Sequence, residues 1–144
     1  MAVNNLPLFS GKPSVQWNTT ALTTANTGYD GTGAGSQLIF AADATYGSYI
    51  DRILVQPLGT LSATTIRIFL NDGNGTAASN FTLMYQLEVP AYTSSNTDAM
   101  ADLVIVPEDG QIPPGSKLYA TTTVAQAAGL QVTVIGGHYI KNAS

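Results

Sequence analysis

The sequence predicts an all-β fold: two antiparallel sheets packed as a β-sandwich, with eight strands that suggest a jelly roll. Three observations carry this. First, several short segments alternate apolar and polar residues with a period of two. The longest is 81–89, where Phe81, Leu83, Tyr85, Leu87 and Val89 share one parity and Thr82, Met84, Gln86 and Glu88 the other. Second, clusters of Gly, Pro, Asn and Asp separate these segments and supply turns. Third, no stretch has the 3.6-residue period of an amphipathic helix.

Taken in order, residues 13–18 place Val15 and Trp17 on one side of a short strand. Residues 37–41 (Gln-Leu-Ile-Phe-Ala) are a continuous apolar run. Residues 49–56 form a third strand stopped by Pro57, with an ambiguous facing, because Ile50 and Leu54 share a parity with Arg52 and Gln56. In 64–70, Ile66, Ile68 and Leu70 face inward and Thr65, Arg67 and Phe69 outward, which makes Phe69 an exposed aromatic. Asn71-Asp72-Gly73-Asn74-Gly75 is a turn, since these residues tolerate positive φ. Its letters resemble a calcium loop, but the EF-hand spacing and closing Glu are missing. The 81–89 strand ends at Pro90. Residues 102–106 and 117–124 are further strands, and residues 125–129 are read as a hairpin turn into the last strand, 130–135. The glycine-rich stretch 28–36 reads as a flexible turn. Gly31, Gly33 and Gly35 alternate without dinucleotide spacing, and no Walker Lys-Ser/Thr follows.

A chain of 144 residues fits one domain, assigned to 13–140, with 1–12 as an extended N-terminal arm and 141–144 as a frayed tail. Charged residues are 10% of the chain, against about 25% in ordinary soluble domains. Uncharged polar residues replace them, which suits a protein that spends its life against other subunits, because interface cores are depleted in charge. The net charge is -4 and the five basic residues are scattered, so no phosphate-neutralising footprint exists and nucleic acid is not an expected partner. No apolar run approaches the roughly 20 residues of a membrane-spanning helix, and no membrane partner is expected. The N-terminus lacks a basic region followed by an apolar core, so no secretory signal is expected either.

Chemistry-bearing constellations are sparse. His138 is the sole histidine and there is no cysteine, too few ligands for a zinc site. No Gly-x-Ser-x-Gly elbow accompanies it. Glu88, Asp102 and the Glu108-Asp109 pair are the carboxylates a glycosidase reading would need, and surface carboxylates are more often solvated. No enzyme activity, cofactor, metal or catalytic residue is expected. Tyr29, Tyr46, Tyr49 and Tyr92 lie in or near loops where rings could stack on sugars, although tyrosines also serve as interface and sandwich residues.

One order of motifs is more specific. Ile66-Arg67-Ile68-Phe69-Leu70-Asn71-Asp72-Gly73 precedes the 83–89 strand. Ile112-Pro113-Pro114-Gly115-Ser116-Lys117-Leu118-Tyr119-Ala120 and Val132-Thr133-Val134-Ile135-Gly136-Gly137-His138-Tyr139 follow it. This order resembles small structural proteins of tailed bacteriophages, of the capsid decoration or cement type, over roughly residues 13–139. The resemblance implies a virion component on the capsid exterior, synthesised in the host cytoplasm. It also implies a trimer whose partner is the major capsid protein. Within that expectation the candidate subunit or shell contacts are Leu6, Leu8 and Phe9 of the arm, Trp17 and Phe69. A carbohydrate-binding or adhesin module, or a tail or baseplate component, is the alternative expectation.

Overall fold

The computed structural model describes residues 9–141. Its strands are β1 (Phe9–Trp17), β2 (Gln37–Ala41), β3 (Ser48–Pro57), β4 (Thr64–Asn71), β5 (Phe81–Val89), β6 (Leu103–Ile105), β7 (Gln111–Ile112), β8 (Lys117–Thr122) and β9 (Leu130–Ile140). All pairings between them are antiparallel. One sheet has the order β1-β9-β3-β6, with β7 also paired to β3, and is called sheet A here. The other, sheet B, has the order β2-β8-β4-β5. The fold is therefore a two-sheet antiparallel sandwich.

The two inner faces meet in a single apolar core. Sheet A supplies Ile50, Ile53, Val55, Leu130, Val132 and Val134; sheet B supplies Phe40, Ile66, Ile68, Leu118 and Ala120. Burying such side chains is worth about 1.5–3 kcal/mol each, the main force that closes the sandwich. Two β-bulges decide which residues reach this core. In β3 the register with β9 slips between Ile50 and Arg52. The extra residue lets Ile50 and Ile53 both point inward and turns Arg52, Leu54 and Gln56 outward, which resolves the ambiguous facing of this strand.

In β5 the register with β4 slips as Ile68 pairs Tyr85 and Phe69 pairs Leu83. Tyr85 and Leu87 pack on the core. Phe81 instead meets Tyr119 edge-on, with ring centroids 5.2 Å apart. Tyr119 belongs to the outward set of β8, because Leu118 and Ala120 are core residues. The apolar parity of 81–89 is thus divided between two faces of the sheet. Period-two reading assumes an unbroken pleat, and one extra residue reverses the facing beyond it.

Two further expectations change. Phe9–Lys12, assigned to an arm, form the first part of β1, pairing Tyr139 and Ile140 across a register shift between Ser10 and Lys12. That irregularity is why these residues show no period. The 125–129 connection is not a hairpin turn, because β8 lies in sheet B and β9 in sheet A. It crosses between the sheets, and the buried Gln126 side chain fixes it by donating to Ser62 O (3.0 Å) and accepting from Ser62 N (2.9 Å).

Candidate functional site

The outer face of sheet B is covered by the chain itself. Residues 25–36 cross it, held by a parallel bridge of Ala25 to Thr122 and by Asn26 N donating to Thr122 O at 2.8 Å. Asn26 Nδ2 donates to Thr32 O and Ala34 O, both at 2.9 Å, and Ser36 Oγ to Gly31 O at 2.8 Å. The glycine-rich stretch is therefore an ordered cover. Gly31 is required at its closest approach: φ is +75°, and a Cβ there would sit 2.6 Å from the Phe81 ring.

Beneath this cover Phe69 is fully buried, outside the inter-sheet core. It faces outward, as its parity says, but it is no exposed contact. Its neighbours across the sheet are Tyr119 and Leu83. Arg67, next in the outward series, is buried as well. Its Nη1 donates to Thr27 O (3.0 Å) and Gly28 O (3.3 Å), its Nε donates to Gln86 Oε1 (3.2 Å), and its guanidinium lies 3.8 Å from the Tyr29 ring centroid. A buried cation is tolerated where its donors are satisfied and an aromatic face caps it. Tyr29 is thereby occupied.

Among the described residues, no segment covers the outer face of sheet A in this way. Trp17, Thr133, Leu54 and Val104 pair in one row across β1, β9, β3 and β6. Val15, Ile135 and Arg52 form the next row. Trp17 is 48% exposed, Val15 52%, Val104 41% and the adjoining Val106 71%. The charges on this face include Arg52 and Asp51, which pair with each other at 3.2 Å. The surface continues round the β1 edge, where Val15 and Trp17 share a groove with Leu38, itself half-exposed. At that edge the Gln16 side chain acts as a strand partner, accepting from Ala41 N at 2.9 Å and donating to Ala41 O at 3.1 Å, and so ties sheet A to sheet B.

A third feature lies where β3 begins and β9 finishes. Ser48 is fully buried, and its Oγ lies 2.6 Å from His138 Nδ1. Ser48 Oγ accepts from Asp43 N at 2.9 Å. Which partner of the Ser48–His138 bond donates depends on the imidazole tautomer, because a hydroxyl can both donate and accept. The Asp43 carboxylate accepts from Thr45 N and Tyr46 N instead of His138, and these two amides hold its pKa below the ordinary 3.8. Ser48, His138 and Asp43 therefore make a structural link, not a nucleophile relay. Among the described residues no group of three or more His, Cys, Asp or Glu is placed to hold a metal ion.

Of the sequence-derived contacts, Trp17 lies on the bare face and Phe69 under the cover. Phe9 belongs to β1, whereas Leu6 and Leu8 lie outside the described residues. The loop tyrosines separate: Tyr29 sits on Arg67, and Tyr92 donates its hydroxyl to Asp98 O at 2.8 Å. Tyr46 and Tyr49 lie at the Ser48 end, where Tyr139 joins them. Sequence reading passed over Tyr139 because it ends a strand and no loop signal surrounds it. No family model matches the chain, and neither a curated protein nor a solved structure matches it.

Proposed function

We propose that this is a non-catalytic structural protein that docks through the bare outer face of sheet A, and that its setting is the head of a tailed bacteriophage. In this reading it is a decoration or cement protein that binds the major capsid protein and acts as a trimer on the capsid exterior. One observation carries the docking face. Partly exposed Trp17, Leu54 and Val104 lie in one row across sheet A with only Thr133 between them, on a face whose Asp51 and Arg52 neutralise each other. Exposed apolar patches of this kind mark protein contacts, and docking cores are poor in charge. The phage setting rests on the order of strand-and-turn motifs described above. The sheet orders β1-β9-β3-β6 and β2-β8-β4-β5, with β7 set aside, support an eight-strand jelly-roll reading, an architecture found in viral shells.

Trp17 gives a direct test, because it is the only tryptophan in the chain. Its emission is recorded free and after the protein binds purified phage heads. A blue shift with reduced quenching by acrylamide is expected, since docking removes the indole from water. Head-bound protein with unchanged emission would overturn the choice of face. Failure to bind heads, together with a monomeric mass at every concentration by light scattering, would overturn the decoration reading.

A further inference from the structure

We propose that the groove between the 43–48 turn, the 109–114 segment and the end of β9 is a binding site for a neutral saccharide. The groove is lined by Tyr46, Tyr139, Asp109, Gln111, Pro113 and Pro114 among others, and its volume is about 520 Å³. That lies within the roughly 300–1,000 Å³ of small-molecule sites. Tyr46 lines the groove and is 37% exposed, so part of its aromatic surface is open to a ligand. A pyranose has one face of C–H groups and a rim of hydroxyls. An aromatic ring satisfies the first, and planar polar groups satisfy the second.

Asp109 and Gln111 are the planar polar groups. Both are exposed, and Asp109 Oδ1 accepts from Gln111 N at 3.1 Å, which fixes the carboxylate. A carboxylate and a carboxamide each present two atoms at a spacing that suits adjacent hydroxyls. The Tyr139 hydroxyl is pushed up from its ordinary range by burial, then by Tyr49 and Asp109, so it stays protonated and able to donate. The lining carries one carboxylate and no cation, which disfavours phosphate, sulfate and acidic sugars.

The groove is set before any ligand arrives. Asp43 caps the turn through Thr45 N and Tyr46 N, and Asp43 O accepts from Gly47 N (3.2 Å) and Gly115 N (3.0 Å). Gly47, at φ +78°, lets the turn press against Ile112 and Pro113, because a Cβ there would lie 2.6 Å from Ile112 O. Gly47 O accepts from Tyr139 N at 3.1 Å, and the Ser48–His138 bond ties the same turn to β9. Two consecutive prolines fix the opposite wall. Rigid walls lower the entropic cost of binding.

The test is a titration of the full ¹⁵N-labelled chain with neutral mono- and disaccharides, followed by amide shifts. At least one sugar is expected to shift the amides of Tyr46, Gln111 and Tyr139, with a Kd of about 1 mM and about tenfold weaker binding in Tyr46→Ala. Tyr46 sits on an exposed turn, so this variant keeps its fold, and Tyr29→Ala is the control that binds as the parent does. Shifts confined to other loops, unchanged binding in Tyr46→Ala, or no shift with any sugar would overturn the proposal. So would a proline-rich peptide that shifts the groove where sugars do not.

Discussion

The outer faces of the two sheets carry similar residues and meet opposite fates. On sheet B, Phe69, Arg67 and Phe81 lie under residues 25–36, which supply carbonyls, a tyrosine ring and a close-fitting glycine. On sheet A, Trp17, Leu54 and Val104 make a comparable row without a covering segment among the described residues. An apolar face that its own chain covers contributes to stability. One left open keeps that free energy for a contact with something else. The same residue type therefore has two meanings here. Phe69 is a second, small core, and Trp17 is a surface.

That contrast can be broken in several ways, and the largest effects belong to the covered face. Phe69→Ala should cost about 3–4 kcal/mol in urea unfolding, the loss expected for a buried aromatic. A loss under about 1 kcal/mol would mean the cover is not packed as described. Gly31→Ala should cost about 2–3 kcal/mol, because the new Cβ meets Phe81 on a backbone of positive φ. Amide exchange should show the damage concentrated in residues 25–36.

A gain is expected at Thr121, whose Oγ1 is buried with no partner among the described residues. Thr121→Val should raise the melting temperature, by about 1 kcal/mol of stability, since it removes an unsatisfied hydroxyl at little change in shape. On the bare face, Trp17→Ser should cost at most about 1 kcal/mol and yet abolish docking. Equal occupancy of heads by this variant would erase the distinction between the two faces.

The smallest effect is a pH dependence of the cover. The Asp30 carboxylate accepts from Thr32 N (3.1 Å) and Thr32 Oγ1 (2.9 Å), and these bonds hold its pKa below the ordinary 3.8. A group depressed in the folded state contributes fully above its unfolded pKa and loses that contribution as pH falls through the lower, folded value. The Thr32 amide should therefore begin to exchange faster as pH drops below about 3.8 in the parent and show no such step in Asp30→Asn.

Much of this was legible in the chain. The segments read as strands are all strands, because alternation and turn residues are local signals. The Asn71–Gly75 turn also follows from local chemistry: Gly73 N donates to Asn71 Oδ1 and Asn74 N to Asp72 Oδ1, each within two residues. The facing of Ile50 and the division of 81–89 were not legible, since a bulge depends on the partner strand. The exposure of Phe69 was not legible either, because its parity says only which side it takes and not what lies over that side. The Ser48–His138 link joins residues 90 positions apart, and no spacing rule reaches across that distance.

The sequence by itself determined the class of fold and the location of its strands and turns, and it singled out Trp17. These depend on residue type and on neighbours within a few positions. Tertiary structure alone decided which apolar residues became core, which came under the cover and which stayed open, and it gathered Tyr46, Tyr139 and Asp109 around one groove. Those outcomes depend on strand register and on the path of residues 25–36. Both are fixed by contacts between segments far apart in the chain, where a shift of one residue moves a side chain to the opposite face.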